Sequence, residues 1–465
     1  MKPTNDNSLI SNNPTQLSHT SKLSRIGLTL TLTATLLCGL AVSTSAQNSD
    51  VAVVVAKIAR ERGFTIAPNV QTPIVLKTRP DAACDLHAEG VSDKAQTLRF
   101  YANVDGYLKI HASARQESQE ARVQMDCTEN GKVVRYPLHL RASSSPTDDM
   151  PTPRSVMPTP KGSRVLPALT EGEAQQLSDE ELLGRGYLPR PDAVSSPDDY
   201  ALWLDRVSRP ITLIPPHSVS RSDISHSGNV QAGAYSSTNW SGYEAHGAKR
   251  SYDGVQGEWN VPPIGLAEPG YTTYSSMWVG LDGDGTSDLV QAGSEQDAIE
   301  IFGILIASYS TWTELLPNQP TEQGSGLGVN SGDDLLVSVF IGDSTGHRKP
   351  NGAYGWFSLW DFTSSQAVLV STALSGTYFK GSEAEWIMER PLVSGVYSEL
   401  SAYLLAFMHN AGATTTTNIY KHYDKIQNRQ ITMYENYNPQ PDNNLLSTVG
   451  PFGADKMEFT WFNFH

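Results

Sequence analysis

The sequence has 465 residues, of which 39% are hydrophobic and 9% aromatic, as is typical of globular proteins. This length exceeds one ordinary hydrophobic core and predicts two or three separately folding parts. The formal net charge is −15, and residues 236–465 hold about 25 acidic against about 10 basic side chains. So acidic a region would repel a polyanion, which argues against nucleic acid as a partner.

Residues 1–46 have the pattern of a secretory signal peptide. Lys22 and Arg25 precede an apolar run at residues 27–42, and small residues lead to Ala46. The alternative is a membrane anchor, but the run is shorter than the ~20 residues that a bilayer-spanning helix needs. We therefore expect cleavage near Ala46, a secreted (extracellular) mature protein, and no stable membrane association after cleavage.

Residues 47–145 predict a small β-rich domain, because short β-prone runs alternate with turn signals there. Cys84 and Cys127 both lie in this region, and the third cysteine, Cys38, would leave with the signal peptide. In an oxidising compartment a disulfide between Cys84 and Cys127 is plausible, although they could equally be two unpaired core cysteines. No cysteine follows Cys127, which excludes cysteine chemistry from the rest of the chain.

Residues 146–165 predict an extended linker, because the surrounding sequence is rich in Ser, Pro and Thr. Two short amphipathic helices are predicted within residues 166–235. The first is marked by the capping box at residues 178–181, and the second by Ser and Pro ahead of apolar residues at helical spacing over 196–207. The stretch at residues 215–237 is rich in Ser, His and Gly, so we expect it to be flexible and open to proteolytic nicking.

Residues 236–465 have a sequence pattern that differs from those of the two preceding regions. Runs of alternating, β-branched and aromatic residues recur about every ten positions, separated by Gly, Asn, Asp and Pro. This pattern favours an all-β domain built as an antiparallel β-sandwich.

Several common hydrolase motifs can be tested in this sequence. It contains no HExxH helix motif and no Asp-Thr-Gly or Asp-Ser-Gly tripeptide, which argues against common zinc and two-aspartate peptidases. Residues 342–346 have the spacing of a nucleophile elbow, but the loop sequence that follows favours a hairpin. The carboxylates at residues 282–288 could bind Ca²⁺, but their spacing is not that of an EF-hand, which favours a turn.

A series of tracts in residues 236–465 resembles one family, the glutamic peptidases or eqolisins. The tracts occur in the family's order: Asn239-Trp240-Ser241-Gly242-Tyr243, Gly257-Glu258-Trp259-Asn260-Val261-Pro262, Trp278-Val279-Gly280-Leu281-Asp282-Gly283, Leu289-Val290-Gln291-Ala292-Gly293, Trp312-Thr313-Glu314 and Ala384-Glu385-Trp386-Ile387-Met388-Glu389. The resemblance spans nearly all of residues 236–465 and none of residues 47–145. It departs from the family at Leu315, where a second tryptophan is usual, and it lacks the fungal disulfides.

The resemblance implies a jelly-roll-like sandwich whose cleft lies on the concave face of one sheet. It implies that Glu385 and Gln291 are the catalytic pair. Candidates for cleft walls and support are Trp240, Trp278, Asp282, Trp312 and Glu314.

Strand alternation and acid–base chemistry agree with that pair. Along a strand, Glu385 shares a face with Ile387 and Glu389, while Trp386 and its neighbours of the same parity face the other way. With an unperturbed pKa near ~4, the Glu385 carboxylate can take a proton from water and return it to the leaving amine. Gln291 is uncharged at every relevant pH, and its NH₂ group can hold the water and stabilise the oxyanion. No metal or other cofactor is required.

The sequence therefore predicts a monomeric acid endopeptidase that acts on polypeptides. Residues 166–235 are interpreted as its propeptide, a partner that we expect to dock on the acidic domain at neutral pH through Arg185, Arg190, Arg206 and Arg209 and to loosen in acid. Two alternatives remain: a jelly-roll glycoside hydrolase using Glu314 with Glu385, and a non-catalytic, lectin-like carbohydrate-binding module.

Overall fold

A computed structural model describes residues 62–465, with the exception of residues 92, 94–95, 148–149, 151–155, 189, 195, 227–229, 232–234, 269, 285, 376–378, 417–419, 437–443 and 454. The predicted signal peptide lies outside the described residues. In the described part of the chain, no helix combines the length and the apolar character needed to cross a bilayer. Strands make up 54% of the structure and helices 7%, which confirms the all-β prediction.

Seven strands form the N-terminal part of the described chain: β1 Arg62–Ile66, β2 Thr72–Lys77, β3 Ala83–Ala88, β4 Leu98–Tyr101, β5 Tyr107–Ala114, β6 Glu120–Glu129 and β7 Lys132–Ala142. Five of them make a sheet in the order β1-β7-β6-β3-β4. The other two pair with each other as an antiparallel ladder. Strand β5 also pairs with residues 304–307 of the following sandwich, and Ile299, Ile301, Ile304 and Ile306 complete the N-terminal core.

Cys84 and Cys127 are joined by a disulfide between adjacent strands. They are register partners in the β3–β6 ladder, and both are fully buried. The bridge closes a loop of 43 residues, and a cross-link restricts the unfolded chain more than the folded one.

Replacing both cysteines by alanine is expected to lower the free energy of unfolding by about 2–4 kcal/mol. Urea unfolding of the oxidised, reduced and doubly substituted proteins measures this difference. Equal midpoints for all three would contradict the prediction.

The middle of the chain is partly helical. It contains β8 Arg164–Leu166, α1 Glu171–Gln176, α2 Asp179–Arg185, α3 Pro197–Val207, β9 Ile211–Leu213, β10 Ser220–Arg221, β11 Ile224–Ser225 and β12 Val230–Gln231. The capping box predicted before α2 is present, because Ser178 and Glu181 bond each other's backbone N–H groups reciprocally. Helix α1, which begins with an equivalent box at Thr170 and Glu173, was missed by the sequence reasoning.

The helices pack on the outer face of the C-terminal sandwich. The apolar side of α3 buries Trp203 and Val207, as its periodicity predicts. These side chains join a cluster with Leu336, Trp360 and Ala367 of the sandwich. The indole N–H of Trp203 donates to the Leu188 carbonyl at 3.0 Å, so its polar atom is also satisfied.

The C-terminal region contains the remaining strands: β13 Ser236–Ser237, β14 Trp240–His246, β15 Tyr252–Asn260, β16 Thr272–Leu281, β17 Leu289–Ile301, β18 Ile304–Leu316, β19 Gln319–Gly328, β20 Asp334–Gly342, β21 Tyr354–Asp361, β22 Gln366–Ala373, β23 Glu383–Glu389, β24 Leu392–Val393, β25 Val396–Tyr397, β26 Glu399–Leu400, β27 Leu405–Thr415, β28 Tyr420–His422, β29 Asn428–Tyr434, β30 Leu445–Pro451 and β31 Met457–Trp461. A 3₁₀ turn spans Tyr423–Lys425.

Two antiparallel layers make the sandwich. The first runs β19-β18-β17-β16-β23-β14-β29, and the second runs β22-β21-β20-β15-β27-β31-β30. Strand β29 also pairs with β30, which connects the layers at one side. The main core between the layers includes Trp386 and Met388 from the first and Val337 and Phe357 from the second. The opposite face of the first layer lies outside this core, and it carries the candidate site described below.

Candidate active site

A row of polar residues crosses the first sheet from strand to strand. Gly280 of β16 is the register partner of Gln291 on one side and of Glu385 on the other. Beyond them, Glu314 pairs with Gln291, and Glu244 pairs with Glu385. Directly paired residues project to the same face of an antiparallel sheet, so these side chains share one surface. Gly280 leaves the space between Gln291 and Glu385 without a side chain.

Strand alternation separates this surface from the core, as predicted. Trp386 and Met388 lie in the core between the two sheets, whereas Ile387 lies in a separate cluster on the cleft face. Glu385 and Glu389 have the same parity as Ile387 and lie on that face.

The Gln291 amide is held by two acceptors. Its Nε2 donates to Glu314 Oε2 at 2.6 Å and to the main-chain carbonyl of His226 at 2.7 Å. Burial raises the pKa of Glu314 to about 8, so in acid this group is an uncharged carboxylic acid whose Oε2 still accepts the bond. Glu314 therefore fixes the direction in which the Gln291 amide donates.

Glu385 is fully buried, and neither of its carboxyl oxygens has a hydrogen-bond partner among the described residues. Burial raises its pKa well above the usual value, and Glu244, Glu383 and Asp282 raise it further. Arg429, the register partner of Glu244, donates from Nε and Nη2 to Glu244 at 2.9 and 2.7 Å and not to Glu385. In this state Glu385 is a carboxylic acid, and exposure to water would remove the largest cause of its raised pKa.

The predicted tryptophans lie together beside the row. Trp240, Trp278 and Trp312 are fully buried in one cluster, in which the rings of Trp240 and Trp278 meet edge to face at 5.0 Å. Trp278 Nε1 donates to Glu389 Oε2 at 2.7 Å, and Trp312 Nε1 donates to a serine hydroxyl of β16. Trp278 and Trp312 therefore form the floor of the cleft, and Trp240 supports Trp278 from the side.

Asp282 holds a neighbouring loop. Its carboxylate accepts the backbone N–H groups of Lys380, Gly381 and Ser382, each at 2.8 Å. These three donors position the chain just before β23. Because N–H donors occupy the carboxylate, the turn interpretation of this loop fits better than a Ca²⁺ site.

Residues 220–226 cover the cleft, so the expectation of a flexible stretch is wrong for this part. Arg221 is 4% exposed and His226 is 0% exposed. Their composition gave no sign of burial, because their partners are carboxylates on distant strands. The sequence reasoning also missed Glu295 and Glu322, which face this segment.

The four arginines predicted to dock the helical region on the acidic domain do not all contact that domain. Arg206 of α3 pairs with buried Glu258 of the sandwich, as does His409 at 3.4 Å. Arg190 pairs with Asp179. The other two stay within the helical region: the main-chain carbonyl of Arg185 accepts from Arg164, and the guanidinium of Arg209, which follows α3, binds Asp205 of that helix.

Replacing Arg206 by glutamine is expected to weaken the folded chain by up to about 3–5 kcal/mol, because buried Glu258 would lose its arginine partner and keep the more exposed His409. Burial raises the pKa of Glu258, but His409 and Arg206 outweigh burial and lower it to about 2. A carboxylate with a lowered pKa stabilises the folded form above its unfolded pKa and loses that effect as the pH falls through the folded value. The effect of the substitution should therefore be full at pH 7 and vanish near pH 2.

Urea unfolding of the intact chain at several pH values measures this effect. Arg209→Gln is the matched control, because its ion pair is exposed and should contribute less than about 1 kcal/mol. Equal losses for the two variants at pH 7 would contradict the assignment of Arg206.

The row on the sandwich brings an amide and carboxyl groups to one face, and such groups can activate water and stabilise an oxyanion. Residues 238–454 match the model of the Peptidase A4 family. This part of the chain belongs to that family, and the domain is a glutamic-type peptidase. The family resemblance drawn from the sequence is confirmed.

Similar solved structures include two of scytalido-glutamic peptidase, one with a peptide-based transition state analog and one with a transition state analog inhibitor. They have 18% and 20% sequence identity, each covers 48% of this chain and 98% of its own, and both TM-scores are 0.36. SCP-B, a member of the Eqolisin family in a complex with the tripeptide Ala-Ile-His, matches with the same coverage, 18% identity and a TM-score of 0.35. No curated protein matches the chain.

Proposed function

We propose that the chain is the precursor of a secreted, monomeric acid endopeptidase that hydrolyses peptide bonds with Glu385 and Gln291. The observation that carries the proposal is the 2.7 Å hydrogen bond from Gln291 Nε2 to a main-chain carbonyl, that of His226. Glu385 lies on the same face, about 10 Å away between Cα atoms, two strand spacings across Gly280. A polypeptide carbonyl bound at Gln291 would thus lie on the same face of the sheet as the Glu385 carboxyl group.

The chemistry needs only these two groups and water. Glu385, once ionised, takes a proton from water as the water oxygen attacks the carbonyl carbon, and then gives the proton to the leaving nitrogen. Gln291 donates to the oxyanion of the tetrahedral intermediate. Because the amide carries no charge, it does not compete with Glu385 for a proton, as a second nearby carboxyl group would.

Digestion of an unfolded protein at pH 3 to 4, with pepstatin and a chelator present, tests this function. We expect cleavage to continue, because neither a pepstatin-sensitive aspartate pair nor a metal takes part. Loss of cleavage with either inhibitor would contradict the proposal.

A glycosidase reading is disfavoured by the positions of its two carboxyl groups. Glu314 and Glu385 are three strands apart in the row, and Gln291 lies between them and binds Glu314. Hydrolysis of a polysaccharide with no action on protein would nevertheless favour that reading. Binding of a sugar that survives Glu385→Gln, with no turnover, would favour a lectin-like module.

Residues 166–235 act as a propeptide in this proposal. The carboxylates at its contacts respond to acid in opposite directions. Glu258, whose pKa is lowered by its ion pairs, loses its contact in strong acid, whereas burial raises the pKa of Asp297 to about 6 and makes the docked state bind a proton. Acid thus weakens the contact at Glu258 but favours the docked state at Asp297. Cleavage of the chain is therefore needed to complete release of the propeptide. Incubation of the precursor at pH 3 and pH 7 tests this, and equal processing at both would end the idea.

A further inference from the structure

Residues 220–226 cross the cleft as an added strand. Ser220–Arg221 pairs antiparallel with Glu322 and Gln323 of β19, and Ile224–Ser225 pairs antiparallel with β24. Extended peptides commonly bind proteins by adding to strands in this way, with main-chain bonds for affinity and side-chain pockets for selectivity. The segment therefore shows how the cleft holds a polypeptide.

The main chain of His226 is held at both its polar groups. Its N–H donates to Glu314 Oε2 at 3.2 Å, and its carbonyl accepts from Gln291 Nε2 at 2.7 Å. A donor at this carbonyl is the arrangement that stabilises an oxyanion when the carbonyl carbon is attacked. The His226 carbonyl thus occupies the reacting position of the proposed mechanism.

The His226 side chain fills a pocket made for a flat cation. Its ring stacks on Trp312, with the centroids 3.8 Å apart and the planes within 6°. Its Nδ1 lies 3.1 Å from Glu389 Oε2, and its Nε2 lies 3.5 Å from Glu322 Oε2 and 3.8 Å from Glu295 Oε2. Both nitrogens face carboxylate oxygens, so both carry protons. Although burial lowers the pKa of His226, these carboxylates raise it well above the usual value.

A second basic side chain occupies a second acidic pocket. Arg221 Nη1 donates to Glu322 Oε1 at 2.7 Å and to Ser310 Oγ at 3.0 Å, and Nη2 donates to Asp297 Oδ2 at 3.0 Å. The two oxygens of Glu322 therefore bridge the two cations. The two positive charges of the segment, on Arg221 and His226, are five residues apart in sequence. Each lies against buried carboxylates of the cleft.

We infer that residues 220–226 inhibit the precursor by binding as a substrate does, with the peptide bond after His226 at the reacting position, and that the cleft selects a basic side chain there. This inference rests on the proposed peptidase function and adds the chemical class of its substrate. On cleavage, the water oxygen bonds to the His226 carbonyl carbon and the carbon–nitrogen bond breaks. The proton that Glu385 takes from water passes to the leaving nitrogen, which gives a carboxylic acid and an amine.

The first test uses acid-treated full chain and a capped peptide of residues 220–226, acetylated at one end and amidated at the other. The peptide should inhibit digestion of an unfolded protein competitively. Replacing its histidine or its arginine by glutamine should weaken inhibition by at least about 30-fold, because each change removes a cation from a buried ion pair. Ser222→Ala is the matched control, since Ser222 is exposed, and it should leave inhibition unchanged.

The second test follows processing of the full-length precursor in acid by sequencing the new N-termini. We expect a fragment that begins at Ser227. The variant His226→Gln should slow its appearance at least tenfold, whereas His217→Gln, at a histidine that bonds Asp81 outside the cleft, should not.

The outcomes separate the inference from the function on which it rests. If acid-treated protein digests the unfolded substrate but the capped peptide inhibits no better than a scrambled one, the inference fails and the peptidase function stands. If a glutamine before the cleaved bond is accepted as well as histidine in matched peptides, the selectivity fails. If no digestion occurs under any condition, both the inference about residues 220–226 and the proposed peptidase function are wrong.

Discussion

Replacing Glu385 by glutamine is expected to lower kcat by about 10²- to 10⁴-fold, the usual contribution of a positioned general acid or base. The amide has nearly the same shape as the carboxyl group but cannot accept the proton of the attacking water. KM should change little, because Gln291 and Glu314 hold the main chain of the bound segment. Steady-state kinetics on a peptide substrate at pH 3 to 4 measures both constants.

The same substitution should not destabilise the full-length chain. No hydrogen bond of Glu385 is lost among the described residues, and the pKa of this carboxyl group is raised in the folded state, first by burial and then by Glu244. A raised pKa means that folding above the unfolded pKa requires uptake of a proton, which costs stability as the pH rises. Glu385→Gln should therefore unfold at equal or higher urea concentration than wild type at pH 7, with a smaller difference at pH 3.

Glu383→Gln is the control for this prediction. Glu383 lies two residues away in the same strand, and its pKa is also raised, to about 8, chiefly by burial. It contacts neither Gln291 nor the bound segment among the described hydrogen bonds. If Glu385→Gln kept more than about a tenth of the wild-type kcat, or if Glu383→Gln lost as much as Glu385→Gln, the general-base assignment would be wrong.

Replacing Gln291 by alanine is expected to lower kcat by about 10²- to 10³-fold, the loss seen when one oxyanion donor is removed. The amide donates to the main-chain carbonyl at 2.7 Å, and this bond strengthens as negative charge develops on the oxygen. Gln291→Glu should be at least as damaging, because it removes the donor and places a second carboxyl group against Glu314. The same kinetic assay separates this loss of kcat from a change in KM.

Glu314 provides the companion variants, since it acts through Gln291. Burial raises its pKa to about 8, so it is neutral at the assay pH of 3 to 4. In Glu314→Gln the amide oxygen can still accept from Gln291 Nε2, so kcat should stay within about tenfold of wild type. Glu314→Ala removes the acceptor and should cost about 1–3 kcal/mol of the barrier. Equal losses for these two variants would show that a hydrogen-bond acceptor at residue 314 does not matter for kcat, and would overturn this positioning role.

Strand periodicity was sufficient to predict the β-sandwich, and the family tracts supplied the proposed catalytic pair, Glu385 and Gln291. Alternation along residues 383–389 assigned Glu385 to the face opposite Trp386, because that property depends only on the local pleat. The capping box before α2 was predicted for the same reason, since both of its partners are within four residues of each other. The box before α1 has equivalent residues and was overlooked.

Contacts between distant strands could not be predicted in the same way. The register that aligns Glu314, Gln291, Gly280 and Glu385 depends on pairings between strands far apart in the chain. Nothing in the local sequence fixes which residues of two separate strands lie opposite each other. The pairing of β5 with β18 could not be predicted for the same reason. It joins residues 47–145 to residues 236–465, which the sequence composition had separated into different domains.

The sequence by itself determined the fold class, the family of residues 238–454 and the faces on which their side chains lie, since periodicity and motif order are local properties. Only the tertiary structure decided that the Ser- and His-rich stretch enters the cleft. Arg221 and His226 have no partners nearby in sequence, and the carboxylates that bury them come from β17, β19 and β23. Burial of a cation requires its counter-charges in space, and their arrangement exists only once the distant strands have paired.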